Sequence, residues 1–307
     1  ADGSSAYSMI ALIAGAVLNT ILDPLFIFQF GMGIAGAAWA TVISQVISAL
    51  LLALYFPKFK NVKFKLKDFV PKIHAIRVIV ALGLSSFIFQ FSTMIVQITT
   101  NNLLNTYGTA SIYGSDIPIA VAGIVSKINV IFTSVVLGVV QGSQPICSFN
   151  YGAGQYDRVR KTVKLLLGST FVMSVIAFAA FELFPVQIIS LFGNGDALYF
   201  EFATKFMRIF MFFVFLNGIQ IAGTTFFPSI GKAAKGAVLS LTKQIIFLLP
   251  LLIILPRFLG IDGIIYATPI SDVAAFLIAV AFLVIEFKKM PKTGMETIEN
   301  MQIAKEV

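Results

Sequence analysis

The chain is poor in the residues from which soluble catalytic sites are usually built. One cysteine in 307 residues, Cys147, excludes an intramolecular disulfide, and one histidine, His74, excludes a histidine-based metal cluster. Charged residues make up 12% of the chain, about half the share of a soluble domain, and only 14 residues are acidic. No HExxH, GxSxG or Cys/His constellation occurs, so neither a metalloprotease nor a serine hydrolase is read, and an enzyme is not expected. The amino-terminal ADGSSA lacks a basic segment, so no cleavable signal peptide is read there.

Apolar residues are abundant: 58% of the chain is hydrophobic, with 31 Phe and a mean hydropathy of +0.93. Uncharged apolar runs recur along the sequence, each long enough to cross about 30 Å of hydrocarbon as a helix. Eight such spans are expected, near 7–28, 34–56, 77–105, 117–145, 158–183, 199–227, 232–256 and 262–288. The fold class is therefore an all-α integral membrane protein, a polytopic helix bundle. The net charge of +8 does not point to nucleic acid, because the basic residues alternate by connection. Eighteen of the 22 fall in the 57–77 linker, in 155–164, in 231–243 and in the tail from 288, which the positive-inside rule makes cytoplasmic together with both termini.

A repeat lies at an offset of 227 residues: GIAGAAWATVISQV (33–46) matches GIDGIIYATPISDV (260–273) at 8 of 14 positions. Upstream, residues 3–11 align with 231–239 after a one-residue shift. The first two spans thus copy the last two, and four further helices precede the second copy. If the first copy had them too, about 150 residues would precede this chain at the same period. The whole would be two pseudo-twofold-related lobes of six helices, the first represented here by its last two. The expected domains are 1–57 for those two helices, 58–76 for a cytoplasmic basic linker, 77–288 for the six-helix lobe and 289–307 for a cytoplasmic tail.

One carboxylate stands inside an apolar run, in NTILDPLFIFQFGMGIAGAAWAT (19–41). Asp23 follows Asn19 by four residues, which puts both on one helix face. Pro24 has no N–H and frees the carbonyl of Thr20, and the glycines at 31, 33 and 36 turn the chain so that Thr41 returns near the depth of Asp23. These oxygens make a candidate proton or cation site, Na+ at Asp23 being the one metal considered; the bland alternative is an Asp-Pro helix break. In the second copy, positions 246 and 250 are Ile and Pro, so the repeat does not need the Asn and Asp for its fold.

Two further polar sets lie at helical spacing: Ser86, Gln90, Thr93, Gln97, Asn101 and Asn105 in the third span, and Asn217, Gln220 and Thr224 in the sixth. Lining of a cavity and hydrogen bonding between helices are both open for them, with Gln90, Thr93, Gln97, Asn101, Asn217, Gln220 and Thr224 the cavity candidates. The many Phe and the 9 Met would make such a cavity apolar and adaptable, able to hold cations over aromatic faces. Lys127 and Asp272, charged and within spans, read as structural.

VLNTILDPLFIFQFGMGIAGAAWATVISQ, AVAGIVSKINVIFTSVVLGVVQGSQPICSFNYGAGQYDRVRK and LPRFLGIDGIIYATPISD together resemble the bacterial branch of the multidrug and toxic compound extrusion (MATE) family. The resemblance covers the last two thirds of such a transporter. It implies secondary efflux of bulky, often cationic drugs across the bacterial cell membrane by a monomer, coupled to inward H+ or Na+, with no cofactor. It also implies that Asn19, Asp23 and Thr41 belong to a first-lobe cation site whose other members lie on helices absent from this sequence. Family members with second-lobe carboxylates carry them on the helices matching 77–105 and 199–227, where this chain has none at mid-depth. The QGSQP segment (141–145) resembles the family's bent helix end. The alternative from the same wider superfamily is a flippase for lipid-linked oligosaccharides, which needs Arg or Lys in its cavity where this lining is neutral.

Overall fold

A backbone in hydrocarbon must satisfy its own N–H and C=O groups, so each apolar run closes into a helix. A computed structural model describes residues 5–55 and 73–291, with most side chains between 74 and 88 outside the description. Its helices are α1 (Ser5–Pro24), α2 (Gly33–Ala53), α3 (Ile73–Thr109), α4 (Asp116–Gly152), α5 (Tyr156–Leu183), the short α6 (Pro185–Ser190), α7 (Ala197–Phe210), α8 (Val214–Ser229), α9 (Ala233–Leu241), α10 (Leu249–Leu259) and α11 (Ile261–Lys289). Among the described residues, six spans are long and apolar enough to cross a membrane, and the bent pair α7 plus α8 makes a seventh. The remaining expected span, the third (77–105), falls in α3. Most of the basic linker and nearly all of the 289–307 tail lie outside the described residues.

Three local features differ from expectation. The sixth span is not one helix: α7 and α8 meet at 47° across Met211–Phe213, where the N–H of Phe212 bonds to Ile209 and that of Val214 to Met211. Neither Pro nor Gly stands at the break. Phe212 and Phe215 instead pack edge-on against Phe178 of α5, with ring centroids 5.9 and 5.4 Å apart, so packing between helices bends this one. The QGSQP segment does not end its helix, since α4 continues through Pro145 to Gly152. Proline removes one backbone donor, and the flanking turns carry the helix across the gap. Last, π-helical turns interrupt two spans, at Leu25–Gln29 just after Pro24 and at Thr242–Leu248 just before Pro250. The second spans Ile246, the residue whose carbonyl the Pro250 ring would crowd in a regular α-helix, whereas the first follows its proline.

The chain divides into two compact units, Ala1–Ile79 and Val80–Val307. In the first, α1 and α2 form an antiparallel pair. Its turn uses Gly31 and Gly33 at positive φ (64° and 55°), the left-handed region that glycine enters without steric cost. In the second, α8 packs against α4, α5, α9 and α11. Small residues allow the close approaches: a Cβ on Gly218 would lie 2.8 Å from the Thr170 carbonyl of α5. The apolar core contains Val121, Val125 and Val136 of α4, Phe202 and Met207 of α7, and Ile265 of α11.

The repeat is visible in the packing of each unit. Gly36, Ala40 and Ser44 are the buried residues of α2, and their counterparts Gly263, Ala267 and Ser271 are buried on α11. Gly33 and Gly260 share a positive φ, 55° and 61°. A Cβ on Gly36 would meet the Phe26 backbone at 2.8 Å, and one on Gly263 the backbone at Leu255 and Pro256 at 2.5 Å. Each copy thus crosses its own preceding helix at the same glycine.

Candidate functional site

The α1–α2 pair brings Asn19, Asp23 and Thr41 together. The four-residue spacing stacks Asn19 and Asp23 on one face of α1, and Asn19 Nδ2 donates to Asp23 Oδ1 at 3.3 Å. The same amide lies 3.5 Å from Thr41 Oγ1, at the long limit for a hydrogen bond. The Thr41 hydroxyl spends its proton on the Ala37 carbonyl at 2.9 Å, so toward Asn19 it can only accept. Asn19 therefore bridges the carboxylate and the hydroxyl, and its own amide oxygen remains available. Asp23 and Asn19 are half-buried and Thr41 is exposed. The three residues supply only oxygen acceptors to a guest, which suits a proton or a hard monovalent cation rather than a transition metal.

A groove of about 430 Å³ runs from Asn19 and Thr41 along the helix pair, lined also by Gly15, Ser44, Gln45 and Ser48. Asp23 is not part of its wall, so the carboxylate stands past one end of an uncharged groove in which Leu12, Ala16, Ala49 and Leu52 alternate with the polar side chains.

The other predicted residues fall into two environments. Gln90, Thr93, Gln97 and Asn101 are exposed along α3, and Gln97 Nε2 donates to Asn101 Oδ1 at 3.2 Å. Ser86 is outside the described side chains. On α8, by contrast, Gln220 is buried, the Asn217 carbonyl oxygen is buried without a hydrogen-bond partner among the described residues, and Thr224 bonds to the Ile221 carbonyl at 2.9 Å.

The residue that sequence reasoning assigned elsewhere is Lys243. Counted with the cytoplasmic cations of 231–243, it lies instead on the π-turn inside the seventh span, with its ammonium 2.7 Å from Asp272 Oδ1 and 3.3 Å from Gln220 Oε1. The available signal was an opposite charge in each of two apolar spans of one antiparallel pair. Lys232 and Lys235, at the end of the same span, both bind Glu286, the latter at 2.6 Å. The hydrogen bond to Glu286 raises the Lys232 pKa above the ordinary lysine value, outweighing desolvation.

At the other end of this unit, the α7–α8 break borders an apolar groove of about 410 Å³. Arg208 and Glu182 face each other at its rim, 3.7 Å apart.

A family model described as MatE matches residues 81–254, more than half of the chain. The chain belongs to the MatE family. Among curated relatives of this MatE chain, the multidrug export protein MepA of Staphylococcus aureus (strain NCTC 8325 / PS 47) is 27% identical over 303 residues, 98% of the chain and 64% of the relative. MepA of Staphylococcus haemolyticus is 26% identical over 279 residues, 90% of the chain and 60% of the relative. The chain therefore spans just under two thirds of the length of these relatives. Among solved structures, a MOP superfamily transporter from Pyrococcus furiosus, described as having a binding pocket of reverse polarity, aligns with a TM-score of 0.81 at 23% identity, over 93% of the chain and 63% of that structure. An outward-facing multidrug resistance MATE transporter aligns at 0.80 and 24%. The MatE chain thus has the all-helical membrane fold of these transporters.

Proposed function

We propose that this MatE chain forms part of a multidrug efflux antiporter of the bacterial cell membrane, in which Asn19, Asp23 and Thr41 couple inward H+ or Na+ to export of bulky cationic drugs. The observation that carries the reading is the Asp23 carboxylate, set within an apolar helix pair and linked through Asn19 to Thr41. A carboxylate held in hydrocarbon is neutralised either by protonation or by a bound cation, so one site accommodates either coupling ion. Neutralisation removes the charge that keeps the helix end open to water, and Pro24 with its π-turn supplies the place to bend. The name carried by the relatives, multidrug export protein, supports small-molecule drugs as substrates. The neutral stripe on α3 and the abundance of Phe favour cations over the anionic pyrophosphates of a flippase substrate.

The test is counterflow of a fluorescent cationic dye against an H+ or Na+ gradient, in vesicles reconstituted with the transporter that contains this chain. Asp23→Asn, a mimic of the protonated acid, should abolish gradient-driven efflux while dye binding persists. Wild-type efflux with unchanged pH and sodium dependence would return Asp23 to a mere helix break. The proposed topology has both termini and the basic linker in the cytoplasm, so Lys65→Cys should resist labelling from outside intact cells.

A further inference from the structure

The three acids of α11 each have a lysine. Asp262 is held by Lys205, Glu286 by Lys232 and Lys235, and Asp272, between them and 2% exposed, by Lys243. The outer two pairs stand near the helix ends, where ion pairs reach water. The Lys243–Asp272 pair stands within the span and is completed by the buried Gln220 oxygen.

The repeat gives this pair a counterpart. Asp272 aligns with Gln45, and Lys243 with Gly15 or Ala16, according to where the one-residue shift between the copies falls. All three first-copy positions line the groove beside Asn19 and Thr41. A Cβ on Gly15 would come within 1.8 Å of Ser48 Oγ, so α1 and α2 meet there through a residue with no side chain. Where the first copy keeps an uncharged groove, the second inserts an ammonium and sets a carboxylate opposite it.

We infer that Lys243 is a tethered cation, and that Asp272 with Gln220 forms a latent site for a small monovalent cation or a primary ammonium ion, which the lysine side chain occupies permanently. An ammonium attached to the chain cannot leave, so this constellation stays neutral whatever the ion gradient, and the second copy stays out of the ion cycle proposed for Asp23. That contrast rests on the Asp23 reading; the latent site at Asp272 does not. Removing the lysine would leave a buried, uncompensated carboxylate, which must then recruit a cation of its own.

The experiment compares the thermal stability of the purified protein in sodium chloride, propylammonium chloride and choline chloride, at equal ionic strength and at a mildly alkaline pH that keeps the carboxylate ionised. Asp23→Asn serves as background, so that the first copy contributes nothing. In that background the midpoint should not distinguish the three salts. Adding Lys243→Ala should raise the midpoint by roughly 2 to 4 °C in sodium or propylammonium relative to choline, or permit folding only in those salts. Adding Asp272→Asn should erase the preference, and Lys243→Arg, which retains a tethered charge, should never show one. A salt-independent midpoint for Asp23→Asn/Lys243→Ala, or failure of that variant to fold in every salt, would overturn the inference. Failure of the Asp23 reading registers elsewhere, as wild-type ion dependence of efflux in Asp23→Asn with Lys243 intact.

Discussion

The two copies of the helix pair share a scaffold and differ in chemistry. Both turn at a positive-φ glycine (Gly33, Gly260), cross at a second glycine (Gly36, Gly263) and bury a small-residue stripe (Ala40 and Ser44, Ala267 and Ser271). Inside that scaffold, Asn19 and Asp23 of the first copy become Ile246 and Pro250 in the second, while a small residue and Gln45 become Lys243 and Asp272. Because backbones pack on the small residues, the same scaffold accepts different side chains at the polar positions. One copy uses that freedom for an open, uncharged groove and the other for a closed ion pair.

The contrast can be broken most forcefully at the ion pair. Asp272→Ala leaves an ammonium unpaired inside the span and should cost about 3 to 5 kcal/mol of stability, read by denaturant unfolding. Lys243→Met with Asp272→Asn should recover most of that, because both charges leave together. In the first copy the corresponding substitution acts on function instead: Asp23→Asn should abolish gradient-driven dye efflux yet move the unfolding midpoint little, since no ion pair holds the carboxylate among the described residues. A smaller effect tests the shared scaffold. Gly263→Ala and Gly36→Ala should each cost about 1 to 3 kcal/mol by overpacking, the former more because its Cβ would meet backbone at 2.5 rather than 2.8 Å. Smaller again, Asn19→Ala and Thr41→Ala should weaken the sodium or pH dependence of efflux without abolishing it, Asn19→Ala more strongly because the amide contacts both partners.

The smallest effect concerns Lys232 at the membrane edge. Its pKa is raised in the folded state by the hydrogen bond to Glu286, so its contribution is complete below the ordinary lysine value, about 10.4, and is lost as pH climbs through the higher folded value. Wild type and Lys232→Met should therefore differ in stability by a constant amount through neutral pH and converge only under strongly alkaline conditions. A difference already shrinking near neutrality would contradict the pairing.

Much of the candidate site was legible because it is built from local geometry. The spacing of Asn19 and Asp23 sets a shared helix face, and nearly equal distances from a glycine turn bring Thr41 back to their depth. Lys243 was misplaced for the opposite reason. Its position near the basic 231–235 segment associates it with the cytoplasmic charges, and the opposite charge in the next span does not by itself reveal the π-turn and the crossing of α11 that aim it at Asp272. The α7–α8 break escaped in the same way, as no residue at 211–213 is a helix breaker by itself.

The amino-acid sequence alone determined the membrane-spanning helices, the repeat with its glycine register, and the grouping of Asn19, Asp23 and Thr41. Hydrocarbon admits only internally bonded backbone, and helical period then dictates which neighbours share a face. Only the tertiary structure decided which charges neutralise one another, where the helix bends without proline, and that Gln220 joins an ion pair. Those outcomes depend on the rotation and crossing of helices distant in sequence, which are set by how side chains of different elements interdigitate.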